Sequence, residues 1–137
     1  MMITKDDLIL KYLNVPYKFN GNNLAGLDCW TLVVNWFNDL NYDLNFMNPQ
    51  YGKNCKWKKI NNFIFEFADK WEKVKVPRYL DIILFRGETH HCGICLDEYR
   101  FIHCNKNGVK ILRINKNDLS LLGFYRLREI TNDNCKV

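Results

Sequence analysis

At 137 residues, with 47% hydrophobic and 26% charged side chains, the chain has the size and composition of one soluble globular domain that can bury a core without staples. Lys and Arg number 20 against 15 Asp and Glu, a net charge of +5, but the two signs are interspersed, which leaves no basic stripe for nucleic acid. No apolar run reaches the roughly 18 residues of a membrane span and the amino terminus lacks a signal-peptide core, so no membrane partner is expected.

The same features predict a chain made in the cytoplasm, with its six cysteines (Cys29, Cys55, Cys92, Cys95, Cys104, Cys135) as thiols rather than a disulfide framework. Thr4 can cap a first helix, Asp7 completes a capping-box pattern three residues on, and Leu8, Ile9, Tyr12 and Leu13 form an apolar stripe to about residue 13. Val15-Pro16-Tyr17-Lys18-Phe19-Asn20-Gly21-Asn22-Asn23-Leu24 cannot continue that helix, because Pro16 restricts its predecessor and Asn-Gly favours a tight turn. It is an aromatic loop leading to Gly26-Leu27-Asp28-Cys29. From Cys29 to about Leu40, the residues Leu32, Val33, Trp36, Phe37 and Leu40 recur at intervals of three and four and predict a helix with one buried face.

Asp28 can cap that helix from just outside, which puts Cys29 at a helix start, where partial positive charge favours a thiolate. A small apolar residue packing the first turn is the plain alternative. Residues 41 to 55 carry Asn41, Asn45, Asn48, Pro49 and Gly52 without a period and read as a surface loop. Trp57, Ile60, Ile64, Phe67, Ala68 and Trp71 predict an amphipathic helix over about 56–72. After Pro77 come short β-rich runs: Asp81 to Phe85, His91 to Leu96, Tyr99 to Cys104, Val109 to Ile114 and Gly123 to Arg128. Thr131 to Val137 is expected to fray. Helices first and a meander afterwards predict a single α+β domain over 1–137, with N-terminal helices on an antiparallel sheet of about five strands.

In an extended run from His91 to Leu96, His91, Gly93 and Cys95 face one way and Cys92, Ile94 and Leu96 the other. With a short turn at Asp97-Glu98, His91 and His103 come within about one residue pair of facing each other. A cysteine at a helix start, a histidine and a polar group orienting that histidine are the parts of a nucleophile, base and orienter triad. Cys29, His91 and His103 are the candidates, with the Cys29 N–H as donor to an oxyanion. A zinc site from Cys92, Cys95 and the histidines is opposed by spacing, since Cys92 and Cys95 point to opposite faces of a strand; no metal or other cofactor is expected.

These residues resemble the NlpC-type cell-wall endopeptidases, papain-like cysteine peptidases. Val15 to Gly21 looks like the family's V-P-Y-x-[WY]-G-G loop, Gly26 to Cys29 like its G-x-D-C turn, and Asp81 to Phe85 like its G-D-[LI]-[LV]-x-F strand. His91-Cys92-Gly93-Ile94 resembles H-[VI]-[GA]-[IL], and Phe101-Ile102-His103-Cys104 resembles F-[IV]-H-A. The resemblance implies attack by Cys29 on an amide of a peptidoglycan stem peptide through an acyl-enzyme, with Tyr17, Asp28 and Trp30 flanking the nucleophile as oxyanion and substrate contacts. Trp30 and Thr31 replace the usual Ser and Gly after the cysteine, Asn20 replaces a glycine, and His90 is an extra histidine. A bulky residue after the cysteine resembles members from phage tails, which implies tail proteins as partners and a virion tail or the bacterial wall as destination. A weakly active structural tail or adhesion protein, or an acyltransferase or deamidase on the same fold, are the alternatives.

Overall fold

Two capped helices lead the chain. The computed structural model describes residues 2–44, 69–86 and 91–135, so most of the expected 41–55 loop, most of the expected 56–72 helix and His90 lie outside the described residues. Helix α1 (Lys5–Tyr12) starts with the expected capping box: the Asp7 N–H donates to Thr4 Oγ1 at 3.1 Å and the Thr4 N–H to Asp7 Oδ2 at 3.0 Å. It buries Leu8 and Tyr12. Helix α2 (Cys29–Asp39) buries Leu32, Val33, Trp36 and Phe37, the stripe set by its 3.6-residue period. Tyr12 stacks on Trp36 at 5.7 Å and its hydroxyl donates to Asp39 Oδ2 at 2.6 Å, fixing one helix on the other.

Strands β1 (Asn22–Asn23) and β2 (Gly26–Leu27) form a small hairpin ahead of α2. The main sheet contains β3 (Trp71–Val74), β4 (Ile82–Phe85), β5 (His91–Cys95), β6 (Arg100–Asn105), β7 (Gly108–Arg113) and β8 (Leu121–Leu127), in the order β3-β8-β4-β5-β6-β7. Every pair is antiparallel. The sheet thus has six strands among the described residues, one more than expected. The added strand is β3: Trp71 and Glu72, assigned by helical spacing to the end of the 56–72 helix, instead pair with Leu127 and Arg126 of β8. The tail differs too, because a helix α3 (Arg128–Cys135) follows β8 directly where fraying was expected.

The sheet has two faces with different contents. Toward α2 lie Ile82, Leu84, Cys92, Ile94, Ile102, Cys104, Tyr125 and Leu127, continuous with the helical core. On the other face Ile83, Cys95, Phe101 and Phe124 form a second, smaller cluster with Phe85 against it. Cys92 and Cys95 are therefore on opposite faces, as strand alternation requires. Asp81, 1% exposed just before β4, takes two bonds from the Arg126 guanidinium at 2.9 and 2.8 Å and one from the Arg78 N–H at 2.7 Å. Those bonds satisfy a buried carboxylate and tie β4 to β8.

Candidate active site

The start of α2 is built by one carboxylate. Asp28 Oδ1 accepts from the Trp30 and Thr31 N–H groups at 3.1 and 2.9 Å, and Thr31 Oγ1 accepts from the Asp28 N–H at 2.9 Å. Asp28 Oδ2 accepts from the Asn20 N–H at 2.9 Å, which ties the aromatic loop to the helix start. Asn20 has φ +59°, a left-handed conformation in which Asn is among the few tolerated side chains besides glycine. That accounts physically for an Asn where the resembling motif has Gly. With its neighbours' N–H groups taken by Asp28, the Cys29 N–H has no partner among the described residues and is free to meet an anion.

Cys29 itself is 1% exposed. Cys92 donates its thiol to Cys29 Sγ at 3.5 Å and lies 3.6 Å from the Cys29 carbonyl oxygen, while the Cys104 thiol donates to the Leu27 carbonyl at 3.1 Å. Burial first, and then Cys92, raises the Cys29 pKa well above its ordinary 9.0. Burial thus opposes the thiolate that the helix start favours. A helix start favours an anion by on the order of 1 kcal/mol, whereas burial in an apolar core opposes the charged form more strongly, and the nearby Asp28 carboxylate also opposes it.

The two histidines meet as strand geometry predicted. His103 pairs with Gly93, which sets His91 on the diagonal, and His91 Nε2 hydrogen-bonds His103 Nδ1 at 2.5 Å. His91 packs by Phe85 and His103 by Phe101, on the face turned away from α2. A Cβ at Gly93 would stand 2.7 Å from the Ile102 carbonyl oxygen and 3.2 Å from His103 Cβ, so this position has room only for glycine. Burial and then His103 lower the His91 pKa to about 4; burial lowers that of His103. His103 Nε2 is buried without a partner among the described residues.

The structure thus joins His91 to His103 and Cys29 to Cys92; among the described residues the hydrogen-bond partner of the Cys29 thiol is Cys92, the residue after His91, and not His91 itself. Tyr17 bridges to Leu27 and lies half-buried beside this group, its pKa raised by burial and then by Asp28, Cys29 and Cys104. Asp28 is a buried cap. Trp30, 1% exposed, packs into the core, its Nε1 without a partner among the described residues. Cys92 was missed as a neighbour of Cys29, although its place in a motif that otherwise carries Val or Ile was a visible signal.

The sequence profile of the NlpC/P60 family matches residues 14–120, from the aromatic loop through β7. The chain belongs to the NlpC/P60 family. This NlpC/P60 chain is similar in fold to the NlpC/p60 domain of the peptidoglycan hydrolase SagA, with TM-score 0.57 and 16% identity over 90% of this chain and 97% of that one. It is also similar to an NlpC/P60 family protein from Bacillus cereus, with TM-score 0.61 and 19% identity over 93% of this chain and 41% of the other. A Staphylococcus aureus NLP/P60 family protein described as similar to a lipoprotein matches with TM-score 0.62 and 21% identity over 90% and 40%. The chain spans about two fifths of the length of those last two proteins. No curated protein sequence matches it.

Proposed function

We propose that this NlpC/P60 chain is a cysteine endopeptidase or amidase that hydrolyses an amide bond of peptidoglycan stem peptides, with Cys29 as nucleophile, His91 as base and His103 as the group orienting it. The observation that carries this is the His91 Nε2 to His103 Nδ1 hydrogen bond. It leaves the other nitrogen of His91 for proton transfer, one residue from the thiol that touches Cys29. Membership of a family that includes a peptidoglycan hydrolase supports the substrate class.

Burial raises the Cys29 pKa and lowers that of His91, so in this mechanism the reaction starts from the neutral pair: the Cys29 sulfur turns from Cys92 toward the start of β5 and passes its proton to His91 Nδ1. His91 then carries protons on both nitrogens, and its Nε2–H donates a charge-assisted bond to His103 Nδ1. This requires His103 to hold its own proton on Nε2. The thiolate attacks the amide carbon; the oxyanion meets the free Cys29 N–H with the Tyr17 hydroxyl alongside. His91 protonates the leaving amine, then takes a proton from the water that resolves the thioester.

Digestion of purified sacculi tests this: the wild-type chain releases stem peptides identifiable by mass, and Cys29→Ala releases none. Undiminished release by a folded Cys29→Ala chain overturns the mechanism. Delivery as part of a phage tail, with other tail proteins as partners, is suggested by Trp30-Thr31 after the cysteine, and detection of the chain in purified virions tests it. One observation favours the weakly active scaffold as a second reading: the near-complete burial of Cys29. A thiol at that position that reacts no faster than the other five would support that scaffold.

A further inference from the structure

We infer that Cys29 and Cys92 close into a reversible disulfide under hydrogen peroxide, and that this bond withdraws the nucleophile and protects it from irreversible oxidation. The loss of activity rests on the function proposed above; the bond itself does not.

The two sulfurs lie 3.5 Å apart, one on the first turn of α2 and the other on β5, two packed elements rather than loops. A disulfide needs about 2.05 Å, so the sulfurs must approach by roughly 1.5 Å. Strand position 92 faces an apolar core where a Val or Ile would pack as well, so packing alone does not call for sulfur there. The other described thiols are placed differently. Cys104 donates to the Leu27 carbonyl and Cys95 belongs to the cluster on the opposite face. At 1% and 0% exposure, Cys29 and Cys92 favour a small oxidant such as hydrogen peroxide over a bulky one.

The chemistry balances. The ionised Cys29 sulfur attacks one oxygen of the peroxide, the O–O bond breaks, and the departing hydroxide takes a proton to become water, leaving a sulfenic acid. The Cys92 sulfur, losing its proton, then attacks the Cys29 sulfur; the S–O bond breaks and a second water departs. Two thiols are oxidised to one disulfide and one peroxide is reduced to two waters. Because the first step uses the thiolate of a buried thiol, it quickens as pH rises.

Peptide mapping without reductant, after peroxide treatment of the full chain and alkylation of the remaining thiols, tests the pair. The expected product joins the Cys29 and Cys92 peptides with the loss of two hydrogens; sacculus digestion falls as it forms and returns with dithiothreitol. In Cys92→Val, and in Cys92→Ala as a second packing variant, the cross-link is absent and Cys29 proceeds to sulfinic acid, so recovery after reduction drops by about tenfold or more. Cys104→Ala still forms the cross-link. Sulfinic acid at Cys29 in the wild-type chain without a cross-link, or a bond from Cys29 to Cys104, overturns the proposal. A Cys29–Cys92 bond with activity unchanged leaves the pair standing and overturns the assignment of Cys29 as nucleophile.

Discussion

The two faces of the main sheet carry the two halves of the candidate machinery and treat them differently. On the α2 side, the Cys29 thiol sits in a continuous apolar core against Cys92, and burial holds it neutral. On the other side, His91 and His103 lie over a smaller aromatic cluster, joined to each other, with His91 at a strand end and partly exposed. Burial on each face opposes charge: it raises the Cys29 pKa and lowers those of both imidazoles. The lesson is that alternation along β5 puts His91 and Cys92, the neighbour of the Cys29 thiol, on opposite faces although they are adjacent in sequence. Under the mechanism proposed above, proton transfer then requires the Cys29 sulfur to leave Cys92 for the His91 side of the strand.

His91→Ala breaks the comparison most directly, with an expected loss in kcat of about 10³-fold or more, together with a lower Tm because the ring packed on Phe85 and its bond to His103 are both lost. Next comes His103. In sacculus assays His103→Ala is expected to cost about 10–100-fold, by analogy with groups that orient a catalytic histidine, and His103→Asn to recover part of it by restoring an acceptor for His91 Nε2. Equal losses in both variants would mean that the ring is needed for shape alone. Gly93→Ala places a methyl against the Ile102 carbonyl and under His103; overpacking of this kind costs about 1–3 kcal/mol, readable as a lower Tm and a smaller kcat at unchanged KM.

The pH dependence sharpens the contrast between the faces. His91 is held from 6.5 down to about 4, first by burial and then by His103. Between those values the unfolded chain binds a proton that the folded chain does not. Its contribution is therefore full above pH 6.5 and falls as pH drops toward 4, by on the order of 2 kcal/mol. On the thiol face the sign is opposite: a raised Cys29 pKa makes the folded chain keep a proton that the unfolded chain releases, so stability falls as pH rises past about 9. Denaturant titrations across pH should show both edges, and Cys29→Ala should remove part of the alkaline one only. The smallest effect belongs to Asn20: with φ +59°, Asn20→Ala should cost about 1 kcal/mol and Asn20→Gly close to nothing.

Local chemistry was readable along the chain and long-range burial was not. The Thr4 and Asp7 capping box, the Asp28 cap and the 92/94/96 alternation each depend on residues a few positions apart, and the structure reproduces them. The His91 and His103 pairing also followed, because one short turn fixes it. β3 was missed because Trp71 continues the spacing of Phe67 and Ala68, and only its distant partner β8 makes it a strand. Helix α3 was missed because Thr131-Asn132-Asp133-Asn134 has weak helix propensity. The burial that opposes a Cys29 thiolate was hidden for a related reason. A helix start can be read from four residues, but the burial that overrides it comes from the whole core and from Cys92, 63 positions away.

The most direct test of the nucleophile assignment is to treat the chain with iodoacetamide and to follow, in the same samples, the alkylation of each cysteine by peptide mass and the remaining activity on sacculi. Activity is expected to disappear in one-to-one step with alkylation of Cys29, and faster at pH 9 than at pH 7, as a buried neutral thiol demands. Full activity in a sample whose Cys29 is completely alkylated would contradict it.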